Sequence, residues 1–416
     1  MASPATAGVA PAMPAFIPVY SAFAAAYLLS YLFRTVNAVI SPELTRELGL
    51  DASSLGFLTS AYFLAFGLIQ IPVGMLLDRY GPRRVEPVLL AIAASGALLF
   101  AFADGLPGLT LARAIIGGGV SACLMAPLKG IAMWYPPERH ASLSGWMMVA
   151  GALGALAATA PLEYALRFTN WRTIFVGLAA ATLTVALWIA WRVPDTPRTA
   201  STAGVQFEGV RAVFVRAQFW WIAPVAGFGM GSFFAIQGLW AVPWMMEVEG
   251  LTRAAAASRL LGMSIATLIG YLFLGLFATA LGRRGIRAKH LFAAGFTLGA
   301  LSLSLIAADL PLRPLWWWLY GLGTSANVLA FAVLNVGLPR ELAGRTNTAA
   351  NLMMFGGGFA LQWGIGLVVD AMLASGGVER TTGLRYAFSL VLFLYVAALI
   401  WFFRGWKRFS IHDPVA

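Results

Sequence analysis

Arg34 is the side chain whose surroundings in the sequence most clearly suggest chemistry. It lies in the apolar segment Y-L-F-R-T-V-N, with Tyr27 and Tyr31 on the same helical face and Asn37 about a turn beyond. A guanidinium group offers a planar fork of N–H donors that matches a carboxylate, nitrate or phosphate-like anion, and here two phenols lie beside it. These residues therefore predict a binding site for a small anion.

Several uncharged polar side chains lie in other apolar runs, from which they could complete such a site. Gln237 and Trp240 occur three residues apart in Q-G-L-W and so share one helical face. Asn327 and Gln362 lie in later apolar runs. Because polar groups inside a membrane helix are costly and usually face a cavity, all four are candidate substrate-binding residues.

Two further basic residues, Arg113 and Lys129, lie sixteen positions apart in one apolar run. On a single helix that spacing separates them by about 24 Å, so they cannot both hold one small ligand. Lys129 either contributes to the substrate site or extends its ammonium group to the membrane surface.

The acidic residues all lie in predicted loops or near predicted helix ends, including Glu86, Glu163 and Asp370. We therefore expect no carboxylate at the middle of the membrane to carry a proton or a sodium ion. Three cations inside apolar runs, without such an anion, favour an anionic substrate. It would move by exchange, by uniport, or together with a proton taken up by an acid near a helix end.

Patterns typical of enzymes and metal sites do not occur. His140, His290 and His412 are scattered and give no metal-ligand spacing. The glycine clusters 117–119 and 356–358 follow no strand and precede no lysine, so they predict close helix packing or hinges rather than phosphate loops. We expect no catalytic residue, no metal and no cofactor.

The composition indicates which elements must position these residues. The chain has 416 residues, of which 60% are hydrophobic and only 11% charged, against roughly 25% charged in a soluble domain. Its mean hydropathy of +0.79 excludes a globule in water and points to the lipid bilayer. A membrane helix needs about 20 apolar residues, so the chain has room for about a dozen.

Apolar runs separated by charged or Pro/Gly turns predict twelve membrane spans, numbered 1 to 12 in chain order. They lie near residues 16–41, 54–77, 85–103, 108–134, 141–166, 171–192, 219–246, 255–281, 288–308, 314–338, 346–372 and 384–404. With the N-terminus inside, 17 of the 28 Lys and Arg residues fall on the cytoplasmic side, eight outside and three within spans. The positive-inside rule thus places both termini in the cytoplasm. The net charge of +11 then reflects topology and attraction to lipid, and we expect no nucleic-acid partner.

The chain divides into two six-span halves, residues 1–192 and 218–416, joined by a polar linker over 193–217. The second part of the linker predicts a short helix at the cytoplasmic membrane surface. A shift of 201 residues aligns Pro42 with Pro243, Gly49 with Gly250, and Gly81 with Gly282, among other pairs. Matched glycines and prolines predict matched turns, and hence a duplicated unit.

The turn after span 2 reads G-M-L-L-D-R-Y-G-P-R-R and resembles the signature of the major facilitator superfamily. The twelve spans, the duplicated halves and the long central loop extend this resemblance over nearly the whole chain. It implies an all-α membrane protein whose two halves rock about a central cavity lined by spans 1, 4, 7 and 10. It also implies a gating role for the residues of the turn, namely Gly74, Asp78, Arg79, Gly81, Arg83 and Arg84.

On this resemblance we expect Arg34 and Gln237 to face each other across the cavity. Arg113 matches the family's arginine in helix four, for which a structural role and a coupling role stay open. We expect Asp78 to close the inner end by accepting hydrogen bonds from neighbouring basic residues or by facing a helix N-terminus. The resemblance further implies a monomer in a bacterial inner membrane.

Three functions are compatible with these features of the sequence. The first is a secondary or facilitative transporter of a small anionic or carboxylate-bearing solute. The second is transport of larger amphipathic compounds, drugs or siderophores. The third, from another class, is a receptor on the same fold that binds without transporting.

Overall fold

The computed structural model of the protein describes residues 16–195, 211, 213–334 and 343–410, and every regular element within them is helical. The first half has helices at Phe16–Leu48, Ala52–Tyr80, Pro82–Phe102, Leu106–Gly119, Met125–Trp134, Pro137–Ala157, Ala160–Ala165 and Trp171–Arg192. The second half has helices at Ala217–Ala235, Ile236–Trp240, Ala241–Glu247, Arg253–Arg283, Ala288–Ala307, Arg313–Thr324, Ser325–Leu329, Ala330–Leu334, Ala343–Ala374 and Arg380–Ser410.

Eleven helical segments of the described residues are long and apolar enough to cross a membrane. Span 4 is the exception, because it consists of two shorter helices, Leu106–Gly119 and Met125–Trp134, separated by a turn over residues 120–124. The predicted run at 108–134 is thus present but interrupted. Hydropathy alone does not detect such a break, since the turn is as apolar as the helices.

Span 7 contains a second irregularity. Residues Ile236–Trp240 form a π-helical segment between two α-helical parts of the span. A π turn holds one residue more than an α turn, and such turns are frequent at functional sites. Span 10 likewise contains a short 3₁₀ segment, Ser325–Leu329. Spans 4, 7 and 10 therefore each depart from a regular α-helix.

Among the described residues, the two halves make most of their mutual contacts along three pairs of spans. Span 2 packs along span 11, span 1 contacts span 7, and span 5 contacts span 8. Glycines allow these close approaches: a Cβ on Gly366 would lie 2.3 Å from the carbonyl oxygen of Ala52, and one on Gly56 would lie 2.8 Å from that of Gln362. The other strong contacts are made within each half.

Charged groups join the halves at the predicted outer end, where span 1 ends and span 2 begins. The backbone N–H groups of Ala52 and Ser53, which open span 2, donate to the carboxylate of Asp370 at 3.1 and 2.6 Å. Arg253 of span 8 pairs with Glu43 of span 1 and lies 3.8 Å from Glu163 of span 5. We term these contacts the outer lock.

The backbone supports the predicted repeat at one aligned pair and not at another. Gly49 and Gly250 both have positive φ, 62° and 71°, in the turn after the first span of each half. Gly81 also has a positive φ, but its aligned partner Gly282 lies inside a helix, and Gly285 forms the turn instead. The prediction of matched turns is wrong at this second pair, because span 8 continues to Arg283. The surface helix predicted in the linker lies largely outside the described residues.

Candidate functional site

The guanidinium group of Arg34 is buried inside a ring of aromatic side chains. Its Cζ atom is 4.3 Å from the ring centre of Tyr31, 4.9 Å from Phe234 and 5.4 Å from Phe355. Arg34 is only 6% exposed, and its Nε has no hydrogen-bond partner among the described residues. No carboxylate of the described residues forms an ion pair with it. The site is therefore a buried, aromatic-lined cation.

A chain of hydroxyl and amide groups connects this cation to the second half. The side-chain amide of Asn327 in span 10 donates to the hydroxyl of Tyr271 in span 8 at 3.0 Å. The Tyr271 side chain lies near Tyr31, whose ring packs edge-on against that of Tyr27 with the ring centres 5.1 Å apart. The structure thus brings together Arg34, Tyr27, Tyr31 and, through Tyr271, Asn327. These groups can donate several hydrogen bonds to an anion and its hydroxyl groups.

Arg113 lies next to this site and is fully buried. Its Nη1 donates to the carbonyl oxygen of Phe33 at 2.7 Å, so it holds the backbone just before Arg34. Its guanidinium lies 4.9 Å from the ring of Tyr62, and Tyr62 also interacts with Arg34. This geometry supports the structural role for Arg113, while its positive charge adds to the attraction for an anion at Arg34.

Of the other polar candidates, Gln237 and Trp240 have hydrogen-bond partners of their own, whereas Gln362 has none among the described residues. Gln237 donates to the Ser264 hydroxyl at 3.2 Å, so span 7 presents Phe234 rather than this amide to Arg34. The Trp240 indole N–H donates to the backbone carbonyl of Gln362 at 2.8 Å. Both amide atoms of the buried Gln362 side chain lack a partner among the described residues.

Asn37 lies about one turn beyond Arg34 in span 1, where it is fully buried. Its amide donates to the Thr59 hydroxyl at 3.0 Å, and this contact joins spans 1 and 2. The structure therefore does not bring Asn37 to the guanidinium group.

Lys129 is separate from the Arg34 site. Its ammonium group binds the carboxylate of Asp78 at 2.6 Å and the Leu77 carbonyl at 2.8 Å. It therefore neither joins the substrate site nor simply extends to the membrane surface, because it is bound to the turn after span 2. The sequence predicts that Asp78 accepts from neighbouring basic residues or faces a helix N-terminus, and the ion pair with Lys129 links spans 2 and 4 of the same half.

The remaining charges of the turn contact the first half as well. Arg83 donates to the carbonyl of Ala190 at 3.1 Å, and Arg84 pairs with Asp195 beyond span 6. Arg79 lies 5.1 Å from the ring of Tyr80. Gly81, with φ 76°, allows the sharp reversal between spans 2 and 3 that brings these side chains together. Gly74 lies within span 2.

Glu86 lies near a helix end, as the sequence predicts, and it is fully buried at the fifth position of the helix Pro82–Phe102. Position near a helix end therefore does not place this carboxyl group in water. The neighbouring spans, which a single sequence does not reveal, enclose it.

Sequence reasoning missed the residues that surround the cation from other spans. These are Tyr62, Phe66, Phe234, Tyr271 and Phe355. Aromatic residues are common in apolar runs, so nothing local distinguishes them. Their placement depends on contacts between distant segments.

The fold and the site define a helical membrane protein with a buried polar centre between two packed halves. Residues 23–362 match the Major Facilitator Superfamily, and the chain belongs to that family. This confirms the family, the all-helical membrane fold and the assignment as a multi-pass membrane protein of a non-enzymatic family.

Comparison with curated proteins gives several partial matches. The chain is 30% identical over 183 residues to the uncharacterized transporter YybO of Bacillus subtilis. It is 26% identical over 171 residues to the probable sulfoacetate transporter SauU of Cupriavidus necator, and 26% identical over 149 residues to the hexuronate transporter of Escherichia coli K12. These matches cover 43%, 41% and 36% of this chain and 42%, 40% and 34% of the relatives, respectively.

Solved structures match over nearly the full length. A bacterial homologue of the human lysosomal transporter Spinster, in an inward-facing and unoccupied conformation, superposes with a TM-score of 0.77. The match covers 95% of this chain and 98% of that chain at 18% identity. The D-xylose-proton symporter gives a TM-score of 0.72 at 16% identity, with 93% and 97% coverage. At such identities the match establishes the fold alone.

Proposed function

We propose that the protein is a secondary transporter that moves a small carboxylate-bearing anion by alternating access, with Arg34 as the group that binds the carboxylate. The observation that carries the proposal is the burial of Arg34 with no carboxylate partner among the described residues. A buried charge is costly unless it is paired, and an anionic substrate would provide the pairing.

The aromatic ring around Arg34 supports this assignment energetically. Contact with an aromatic face stabilises a desolvated cation by about 2 kcal/mol, which offsets only part of the cost of taking the charge out of water. The guanidinium therefore stays in place without a substrate and still gains from binding an anion. The hydroxyl groups of Tyr31 and Tyr271 lie beside it and suit the hydroxyls of a sugar acid.

The relatives support the same class of substrate. Two of them are named for the transport of a hexuronate and of sulfoacetate. Both substrates are small organic anions with a carboxylate, for which a planar guanidinium fork is suited. We infer a sugar acid or another small carboxylate as the substrate of this chain.

We place the protein in a bacterial cytoplasmic membrane as a monomer, with both termini inside. The excess of basic residues on that side supports the orientation. We propose that residues 1–192 and 218–416 are the two halves that move, joined by the linker 193–217. The close packing of span 2 along span 11 would then have to separate in part during each cycle.

Uptake of radiolabelled D-galacturonate and D-glucuronate into proteoliposomes tests the proposal. Arg34→Ala should abolish saturable uptake, and Arg34→Lys should retain only part of it because an ammonium group lacks the bidentate fork. Arg46→Ala, which removes an exposed arginine of the same span, is the matched control and should transport normally. Unchanged saturable uptake by Arg34→Ala would remove Arg34 from the site.

The aromatic lining favours one second candidate, the transport of larger amphipathic compounds. Phe66, Phe234 and Phe355 would then provide most of the contacts. Expression in a drug-sensitive bacterial strain distinguishes the two functions, since broad resistance would support export of such compounds. Saturable binding without uptake or counterflow would instead support a receptor.

A further inference from the structure

A polar cluster lies inside the first half where span 4 is interrupted. It consists of Gln70, Glu86, Ser121 and Cys123, all of them buried. Ser121 and Cys123 belong to the turn between the two helices of span 4. The side-chain amide of Gln70 donates to the Ser121 carbonyl at 3.4 Å, and its Oε1 has no partner among the described residues. We term these four residues the span 4 cluster.

Close packing of spans 3 and 4 fixes the position of Glu86 in this cluster. A Cβ on Gly119 would lie 2.4 Å from the backbone nitrogen of Ala93 and 2.6 Å from the carbonyl oxygen of Leu89, so the two backbones touch. About one turn closer to the cytoplasmic end, Glu86 and Cys123 interact through their side chains. Neither carboxyl oxygen of Glu86 has a hydrogen-bond partner of ordinary geometry among the described residues.

The charged groups on the elements around Glu86 have other partners. Arg79 lies over the Tyr80 ring, Arg83 binds the Ala190 carbonyl, Arg84 binds Asp195, Lys129 binds Asp78, and Arg192 lies over the Trp191 ring. The titratable group that does interact with the Glu86 carboxyl is the Cys123 thiol. Within the described residues, Glu86 thus has no cation to balance a negative charge.

This environment determines the protonation state of Glu86. A fully buried carboxylate without a cation is far more costly than the neutral acid, so the group holds a proton in this conformation. Water that entered the break in span 4 would solvate the ionised form and release the proton. Glu86 lies only five residues after Gly81, which starts the helix from the cytoplasmic side, so the path to water is short.

The helix Leu106–Gly119, which ends at the break, also reaches the anion site, because its Arg113 donates to the Phe33 carbonyl oxygen just before Arg34. An ionised Glu86 would add a negative charge inside this buried half and so disfavour a substrate anion at Arg34. A neutral Glu86 adds no such charge.

We propose that Glu86 is a proton-binding site of the transport cycle, located at the break in span 4. One proton bound to its carboxylate favours anion binding at Arg34, and opening of the break toward the cytoplasm releases that proton. The inference rests on the proposed function for its coupling to an anion. The proton site itself can be tested without any substrate.

The substrate-free experiment is infrared difference spectroscopy of the purified protein over a range of pH. The wild type minus Glu86→Gln spectrum should contain the C=O band of one protonated carboxyl group at neutral pH, which disappears as the pH is raised. Glu163→Gln is the matched control, since Glu163 is also buried but pairs with Arg167. Its difference spectrum should contain only carboxylate bands. The proposal is overturned if Glu86 contributes a carboxylate band at neutral pH, or a protonated band at every pH at which the protein stays folded.

The coupling experiment uses proteoliposomes and D-galacturonate. With one proton per anion, a gradient of about one pH unit can maintain about a tenfold accumulation. Glu86→Gln keeps the size and neutral charge of the protonated side chain, so it should retain exchange of internal for external galacturonate and lose the accumulation driven by pH. Asp104→Asn, which removes an exposed carboxylate, should behave as wild type. Accumulation by Glu86→Gln equal to that of the wild type would refute the coupling.

The two experiments separate the two proposals. If galacturonate and glucuronate are not transported, the proposed function fails, while the infrared band still reports whether Glu86 exchanges a proton. If uptake is saturable and depends on Arg34 but Glu86→Gln leaves the response to pH unchanged, the proposed function stands and the proton site is refuted.

Discussion

Asp370 offers the sharpest test of how the two halves are held together at the outer end. Its carboxylate accepts two backbone N–H groups at the start of span 2, although it belongs to span 11 of the other half. Those N–H groups have no partner within their own helix, and the positive end of the helix dipole favours the negative charge. Under the proposed alternating access this contact must break when the outer end opens, so its loss should favour the open state.

The size of the effect follows from the geometry. A hydrogen bond to a charged group contributes about 1.5–3 kcal/mol. Asp370→Asn keeps one acceptor oxygen but loses the charge and the second acceptor, so the closed state should lose about 2 kcal/mol. This corresponds to a shift of about 30-fold in the ratio of closed to open outer ends.

Electron–electron double resonance measures this shift directly. The protein has one cysteine, Cys123, so spin labels can be attached at Asp104→Cys and Ser375→Cys in a Cys123→Ser background. Both positions are exposed and lie in loops predicted to be at the outer end, one in each half. With Asp370→Asn, the two labels should populate a longer distance than in the same labelled protein that keeps Asp370.

Asp51→Asn is the matched control for this measurement. Asp51 caps the same helix, since it accepts the N–H of Ser54 at 2.8 Å, but the contact stays within one half. Hydrogen bonds from Ser54, through its hydroxyl and its backbone N–H, hold the pKa of Asp51 below its usual value. Asn still caps this helix, so the substitution removes a charge at the same helix terminus without removing a contact between the halves, and the outer end should stay closed. An unchanged distance in Asp370→Asn, or equal opening in Asp51→Asn, would refute the reasoning.

Two further predictions concern packing and the inner turn. Gly154→Ala should lower the free energy of unfolding by about 2 kcal/mol, because its Cβ would lie 2.0 Å from the Leu28 carbonyl oxygen. Gly145→Ala should leave the free energy of unfolding unchanged, because a Cβ there would meet nothing within 4 Å. Thermal unfolding in detergent compares the two variants, and equal midpoints would contradict the packing argument. Lys129→Met and Asp78→Asn should each slow galacturonate uptake. The double variant should be no slower than the slower single variant, because the two single variants and the double variant all remove the same ion pair. Additive losses in initial uptake rate would show that the two residues act separately.

Local features of the chain were predictable from the sequence. Hydropathy located the spans, since membrane helices must be apolar over their whole length. Helical spacing placed Tyr27 and Tyr31 beside Arg34, because neighbours within one helix depend only on the regular geometry of that helix. The polar turn after span 2 was likewise visible as a local pattern.

Contacts between distant segments were not predictable from one sequence. The pairing of Lys129 with Asp78 and the burial of Glu86 against Cys123 depend on how spans 2, 3 and 4 pack. The breaks in spans 4 and 7 were missed for a different reason. Hydropathy does not register a change in backbone hydrogen bonding when the residues on both sides are equally apolar.

The π turn at residues 236–240 makes the orientation of the outer part of span 7 depend on the number of residues in the span. One additional residue rotates the outer part of the helix by about 100° relative to a continuous α-helix. Deletion of Gly238 would allow regular α-helical hydrogen bonding, yet it would turn the Trp240 indole away from its carbonyl acceptor on Gln362. The residue count of this segment, as well as its side chains, thus selects which surfaces of the two halves face each other. In distant relatives, a one-residue gap here would therefore indicate a differently oriented interface.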